Sequence, residues 1–312
     1  MTERKRPLIA IVGATGAGKS EAAIVLAEAL GGEVVNADAY QVYRGLDIGT
    51  AKPAPEARAR APHHLFDVAG PDDQLTLGRY LDLAHGALDS VWSRGNLPVV
   101  CGGSGQYVWA LLEGWQVPRV PPDASLRAEL EGLAAREGAA ALRDRLARSD
   151  PEAAARLDPA NGRRLIRAIE VVERTGRPLA ACRGRRPIDA EVLVLGLRLP
   201  RRELYERLDR RTEAMYAAGF VDEVVSLREG GFGGAGPVRN GVGYKEASLY
   251  LDGAIDLEEA VRRHKSANHR LVRRQDAWFK PDDARIRWFD AGPDAPQRCL
   301  DAARRWLKAQ SI

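Results

Sequence analysis

The chain has few cysteines, no long apolar run and no internal repeat, and each shortage excludes something. Cys101, Cys182 and Cys299 stand far apart with no CxxC pair. They offer neither a zinc set nor a disulfide framework, which suits the cytoplasm. No stretch approaches the roughly 18 apolar residues of a membrane span, and MTERKRP leads only into the short run LIAIV, so neither signal peptide nor membrane attachment is expected. Low complexity is confined to GGFGGAGP at 230–237. At 45% hydrophobic and 29% charged, the 312 residues are ordinary globular composition, about two domains' worth.

The net charge of +4 is unevenly placed. Residues 1–115 carry 10 basic and 13 acidic side chains, so the excess lies downstream. Residues 163–187 hold eight arginines against Glu170 and Glu173, and 262–287 hold nine Lys/Arg against three aspartates. Such clusters suit a polyanion, and equally suit solvated helix faces.

Order along the chain suggests an α/β core. LIAIV (8–12), EVVNA (33–37), LPVVC (97–101) and EVLVLGLRLP (191–200) read as strands separated by helix-length segments, including 19–30, 80–95 and 201–219. That alternation predicts a parallel sheet with its ligand at the strands' C-terminal ends. From about Val117 the proline-rich VPRVPPD opens an Ala/Arg/Leu/Glu-rich stretch without a convincing strand. The expected division is therefore 1–117 as core, 118–188 as helical insertion, and 189–312 as core again with basic C-terminal helices.

The strongest motif is Gly13-Ala14-Thr15-Gly16-Ala17-Gly18-Lys19-Ser20, a match to GxxxxGK[ST] between strand and helix. Backbone N–H groups and the helix N-terminus there form an anion cradle, Lys19 adds a point charge, and the Ser20 hydroxyl is placed to ligate Mg²⁺. Hydrolysis of ATP usually needs a strand ending in Asp, whereas this chain has Cys101-Gly102-Gly103-Ser104. No NKxD-like guanine motif occurs either. Asp38, after EVVNA, would share the crevice as a general base or substrate-orienting acceptor, or would merely cap a turn.

VNADAYQVYRGLDIGTAKP (35–53), PHHLFDV (62–68), LPVVCGGSGQYVWALLEGW (97–115), NGVGYKE (240–246) and RRQDAWFK (273–280) together resemble the tRNA dimethylallyltransferase family, in order from Pro7 to about Trp288. The resemblance implies a P-loop NTPase-like fold, a parallel sheet flanked by helices with an all-helical insertion. It also implies transfer of a five-carbon prenyl group from dimethylallyl diphosphate to the exocyclic amine of the adenosine 3′ to the anticodon. Thr15 and Arg211 would contact the diphosphate; by itself Arg211 reads as one of several solvated helix arginines. Asp38 would take the proton.

The same resemblance assigns the tRNA anticodon stem-loop to Asp38, Ala39, Tyr40 and Gln41, to Ser104 and to Arg127. It adds Arg163, Arg164, Leu165, Ile166 and Arg167, then Asn240, Gly241, Val242, Gly243, Tyr244 and Lys245. Arg273, Arg274, Gln275, Trp278 and Lys280 complete the set. Ala14, Ser20, Ala39 and Ser104 depart from the family's usual proline, threonine, serine and threonine; only Ala39 loses a hydroxyl. His63 and His64 resemble a metal pair, but adjacent histidines point apart. Trp109, Trp115, Trp278 and Trp288 could stack bases or pack the core. A monomer is expected. The competing readings are a small-molecule kinase of the same fold and a non-enzymatic RNA-binding P-loop protein.

Overall fold

The computed structural model describes residues 5–234 and 236–310. Its strands are β1 (Arg6–Gly13), β2 (Gly32–Asn36), β3 (His63–His64), β4 (Leu97–Cys101), β5 (Trp115–Gln116), β6 (Gly184–Arg185), β7 (Ala190–Arg198) and β8 (Ile286–Asp290). Six of them form one sheet in the order β3-β2-β4-β1-β7-β8, with every neighbouring pair parallel. Strand β1 is central: the chain after it builds toward β4, β2 and β3, and returns on the other side through β7 and β8. That reversal opens a crevice at the C-terminal end of β1, where ligands of open α/β sheets bind.

Leu8 to Val12 are fully buried, as expected for a parallel strand covered on both faces. On one face the Lys19–Leu30 helix brings Ala22, Ala23, Leu26 and Ala27 against Cys299, Ala302 and Ala303 of the Ala295–Gln310 helix and the strand residues Ile9, Ile11 and Val99. Small side chains let helix and sheet approach closely. Within this sheet two elements escape the sequence reading. Strand β3 has only two residues, and β8 reads IRWFD, whose exposed Arg287 and half-buried aromatics lack the apolar run that marks the other strands. Among the described residues no helix is long and apolar enough to cross a membrane.

Two compact units result: residues up to Leu112 together with those from Asp189, and Glu113–Ile188. The second unit begins at Glu113 rather than at residue 118, because the antiparallel β5–β6 pair belongs to it. Its helices Ala124–Glu137, Ala139–Ala147, Pro151–Arg156 and Gly162–Thr175 enclose Leu130, Leu142, Leu146, Leu165 and Ile169. Asp123, Asp150 and Asn161 cap three of them by accepting from backbone N–H groups. A carboxylate anchors this unit. Glu170 is fully buried and accepts from Arg127 at 3.0 Å through each oxygen, from the Asp123 N–H at 2.7 Å, and from Arg167.

In the first unit Glu33 of β2 plays a similar part. It is buried and accepts from Arg94 at 2.9 and 2.7 Å, from Asn96 at 2.7 Å and pairs with His64 at 2.5 Å. The Arg94 hydrogen bonds hold its carboxyl down at about 2. His63 instead faces the Ala61 carbonyl at 2.7 Å, so the two histidines serve different partners. Because its folded pKa is depressed, Glu33 stabilises the fold above its ordinary pKa of 4.5, and that contribution vanishes as pH falls through about 2. Glu33→Gln should therefore melt well below wild type at neutral pH. The gap should close as the pH is lowered through that window, which melting curves across a pH series check.

Candidate functional site

The phosphate-binding loop leaves β1 through Gly13, whose φ of 135° only glycine adopts readily. A Cβ there would lie 2.2 Å from the Leu197 carbonyl oxygen on β7. Gly18, at φ 89°, is required for its backbone alone, since nothing would meet a Cβ within 4 Å. It caps the helix that starts at Lys19. Lys19 is nearly buried, and its ammonium donates to the Ala14 carbonyl at 2.8 Å. Burial pushes the Lys19 pKa down, while the Asp38 carboxylate pulls it back up.

Arg211 reaches the loop from the Arg201–Ala217 helix and donates to the Thr15 hydroxyl at 3.2 Å. It is not a solvated helix arginine. Burial lowers its pKa against the pull of Asp38, and its Nε–H is buried with no hydrogen-bond partner among the described residues. A buried donor left open beside an anion cradle is satisfied when an anion arrives.

Asp38 lies two residues beyond β2, across from that cradle. Its Oδ1 accepts from the N–H groups of Tyr40 at 2.8 Å and Gln41 at 3.3 Å, whereas Oδ2 makes no hydrogen bond among the described residues. Turn cap and free acceptor thus coexist in one carboxylate. Asn36 sets the approach, taking the Asp38 N–H at 3.0 Å and donating to the Leu65 carbonyl at 3.0 Å. The Ser104 hydroxyl, after β4, accepts from the Ala39 N–H at 3.0 Å. A backbone group makes that contact, so it survives the missing hydroxyl of Ala39.

Gln275, expected to face RNA, is buried and braces the site from within. Its Oε1 accepts from the Thr15 N–H at 2.8 Å, and its Nε2 donates to the Gly103 carbonyl at 3.0 Å. The bridge closes so tightly that a Cβ on Gly103 would sit 2.5 Å from Nε2. Gly105 is equally constrained, since a Cβ there would meet the Trp278 Cβ at 2.2 Å.

A second brace, Glu223 of the Phe220–Glu229 helix, had no motif to mark it. It accepts from the N–H groups of Asp47 at 3.0 Å, Ile48 at 2.6 Å and Gly49 at 3.2 Å, and from the Tyr244 hydroxyl at 2.6 Å. One carboxylate thereby ties the DIGT loop to the NGVGY turn. Gln41 is held in the same frame, donating to the carbonyls of Thr50 at 3.0 Å and Ala51 at 3.2 Å. Gly241 packs closely on Tyr40, because a Cβ would lie 3.0 Å from its ring.

Thr15, Lys19, Asp38, Ser104, Arg211 and Gln275 therefore converge, and Tyr40, Gln41, Gly241, Gly243 and Tyr244 frame them. Ser20, Lys245, Arg273, Arg274 and Lys280 are exposed, and Asn240 folds its amide back onto the Gly236 carbonyl at 3.1 Å. Besides Gln275, four expected RNA contacts have side chains turned to other partners. Leu165 and Tyr244 are fully buried, one in the core of the Glu113–Ile188 unit and the other against Phe220. The Arg127 and Arg167 guanidiniums are bound to Glu170. In that unit Arg163 and Arg164 are exposed and have no ion-pair partner among the described residues, and Ile166 is partly buried against its core. Trp109 is buried and donates to the Trp278 carbonyl at 3.0 Å, a packing role. Among the described residues no group of three or more His, Cys, Asp or Glu side chains could hold a metal ion.

Two family models match the chain: IPP transferase over residues 41–282 and isopentenyl transferase over 7–61. The chain is 47% identical over 303 residues to the tRNA dimethylallyltransferase of Roseiflexus sp. (strain RS-1), covering 97% of this chain and 99% of that one. Its counterpart in Thermomicrobium roseum is 44% identical over 309 residues, covering 99% and 94%. Among solved structures, the full-length tRNA isopentenylpyrophosphate transferase of Bacillus halodurans superposes with a TM-score of 0.73 at 36% identity, covering 98% of both chains.

Glu223→Gln keeps the size but turns one acceptor oxygen into a donor facing backbone N–H groups. It should cost about 1–3 kcal/mol of stability, and the 46–52 loop should become the first site cut by a protease. Melting curves and mapped proteolysis check this; unchanged melting would mean that water replaces the carboxylate.

Proposed function

The chain belongs to the IPP transferase family, and we propose that it transfers a dimethylallyl group from dimethylallyl diphosphate to the exocyclic N6 amine of a tRNA adenosine. The opposed placement of Asp38 and the phosphate cradle carries this reading. The diphosphate sits in the backbone N–H groups of the loop, held by Lys19, the Thr15 hydroxyl and Arg211. As the allylic carbon–oxygen bond breaks, negative charge grows on the diphosphate, and these fixed donors stabilise it where it forms. The adenine amine forms the new carbon–nitrogen bond. Its lone pair is delocalised into the ring, so it needs help, and the free Oδ2 of Asp38 accepts the proton.

Lys19 and Arg211 both lie in the field of Asp38, so the carboxylate and the cations belong to one electrostatic unit. Mg²⁺ fits the donor set: Ser20 offers an exposed hydroxyl in the first turn of the helix, and diphosphate and water supply the remaining hard oxygens that this ion prefers. When bound, it would neutralise part of the leaving-group charge. The acceptor adenosine is the one 3′ to the anticodon, in tRNAs reading codons that begin with U, presented on the anticodon stem-loop. The enzyme acts as a cytoplasmic monomer. A kinase is disfavoured because β4 ends at Cys101 and runs into Gly102-Gly103-Ser104, with no carboxylate there to hold metal and water for phosphoryl transfer.

Asp38→Asn retains an acceptor oxygen but cannot take the proton. Single-turnover prenylation should slow by about 10²–10⁴-fold with little change in tRNA affinity, since phosphate contacts dominate that binding. A rate within about threefold of wild type would remove Asp38 from catalysis. Lys19→Ala should instead weaken dimethylallyl diphosphate binding and leave tRNA binding nearly intact. With wild type and Mg²⁺, dimethylallyl diphosphate should be consumed only when tRNA is present, and ATP should not be hydrolysed. Turnover of ATP without tRNA at about 1 s⁻¹ or faster would revive the kinase reading.

A further inference from the structure

Outside the reaction centre, the helices Tyr244–Leu251 and Leu257–Asp276 enclose a cleft of about 340 Å³. Four cations line it, Lys245, Arg262, Arg263 and Arg270, together with the Ser266 hydroxyl. Glu246 is the one carboxylate in the lining, and it is buried with its Oε2 bound to the Gly243 N–H at 2.9 Å. Glu259, at the foot of the longer helix, holds Arg262 and Arg263 through contacts of 2.6 Å. Lys245 and Arg270 are exposed and have no ion-pair partner among the described residues. Cations gathered this closely repel one another, and an anion between them relieves that repulsion.

The cleft has a direction. Arg263, Ser266, Arg270 and Arg274 recur at helical spacing, so one face of the Leu257–Asp276 helix carries the row toward the end that also bears Gln275. Its other wall is fixed by a glycine turn. Gly243, at φ 86°, is pressed so closely on His264 that a Cβ would lie 2.4 Å from the ring, and Lys245 follows directly. Leu249 is the single apolar side chain of the lining, which leaves little to recognise a base.

We propose that this cleft is a second RNA-binding site, one that grips a backbone phosphodiester of the tRNA at a distance from the reacting nucleotide and without regard to base sequence. The proposal rests on the tRNA reading above and extends it to Arg262, Arg263, Ser266 and Arg270, which belong to no motif. Its role is to hold the register of the stem-loop while the target adenosine reaches Asp38, so it acts on tRNA affinity and not on the chemical step.

The test compares wild type, Arg263→Ala/Arg270→Ala and Arg263→Lys/Arg270→Lys. Each is measured for tRNA binding across a salt series, steady-state prenylation and melting temperature. The alanine pair should raise the KM for tRNA by about tenfold and flatten the plot of log affinity against log salt by about one to two units. Both kcat and the KM for dimethylallyl diphosphate should stay at wild-type values, and the lysine pair should restore the slope. A wild-type slope and KM in the alanine pair would overturn the site. So would a lowered melting temperature with no rescue by lysine, which would make the arginines structural. A wild-type melting shift with inorganic phosphate, absent in the alanine pair and accompanied by an unchanged tRNA slope, would assign the cleft to a free anion and overturn it too. Failure of wild type to bind or prenylate any tRNA would instead strike the parent reading, and it would be seen before any variant is made.

Discussion

A single buried amide spans the two loops that the chemistry has to hold at a fixed separation. Gln275 has one acceptor and one donor to offer in this setting; it gives the first to Thr15 at the phosphate loop and the second to Gly103 at the end of β4. No pair of like groups could do the same, because one loop presents an N–H and the other a carbonyl. The steric constraints on Gly103 and Gly105 follow from this closure. So does the placing of Ser104, whose hydroxyl fixes the backbone beside Asp38. Cradle, Asp38 and bridging turn are therefore held as one piece, which is what electrostatic preorganisation demands.

Much of this was legible in the chain. The apolar runs of β1, β2, β4 and the second half of β7 mark strand segments that are buried on both faces, and the glycine spacing of 13–20 has few uses other than holding phosphate. What stayed hidden has a physical cause in each case. Strand β8 has exposed and half-buried positions because it lies at the sheet's edge, so its pattern carries little hydrophobic signal. Gln275 sits in an arginine-rich run that reads as RNA-facing, yet a helix has more than one face, and this residue is on the inner one. Glu223 serves backbone N–H groups more than 170 residues away, a partnership with no periodicity to betray it. Leu165 lay inside a basic segment, where proximity in sequence hid a position on the buried side of its helix.

Charge arithmetic along a sequence overstates the cation that a surface can offer. Arg127 and Arg167 are committed to Glu170, Arg145 to Glu129 and Glu173, and Arg174 to Asp123. Each helps to hold small helices around a modest aliphatic core. The arginines left over, such as Arg163, Arg164 and Arg270, are those that form no ion pair among the described residues. Which basic residues meet a phosphate is thus decided by where the acids are, a pairing that only the fold reveals.

The contact from Lys19 to the Ala14 carbonyl makes the loop its own first occupant. Without it, a nearly buried ammonium would be left without an acceptor among the described residues, a costly state. Bonded to its own backbone, the lysine keeps its position between turnovers. The contact also works as a threshold: an incoming ligand captures the ammonium only if its attraction exceeds that of a neutral carbonyl dipole. A diphosphate does so with ease, whereas an uncharged prenyl alcohol left by stray hydrolysis has nothing with which to unlatch it.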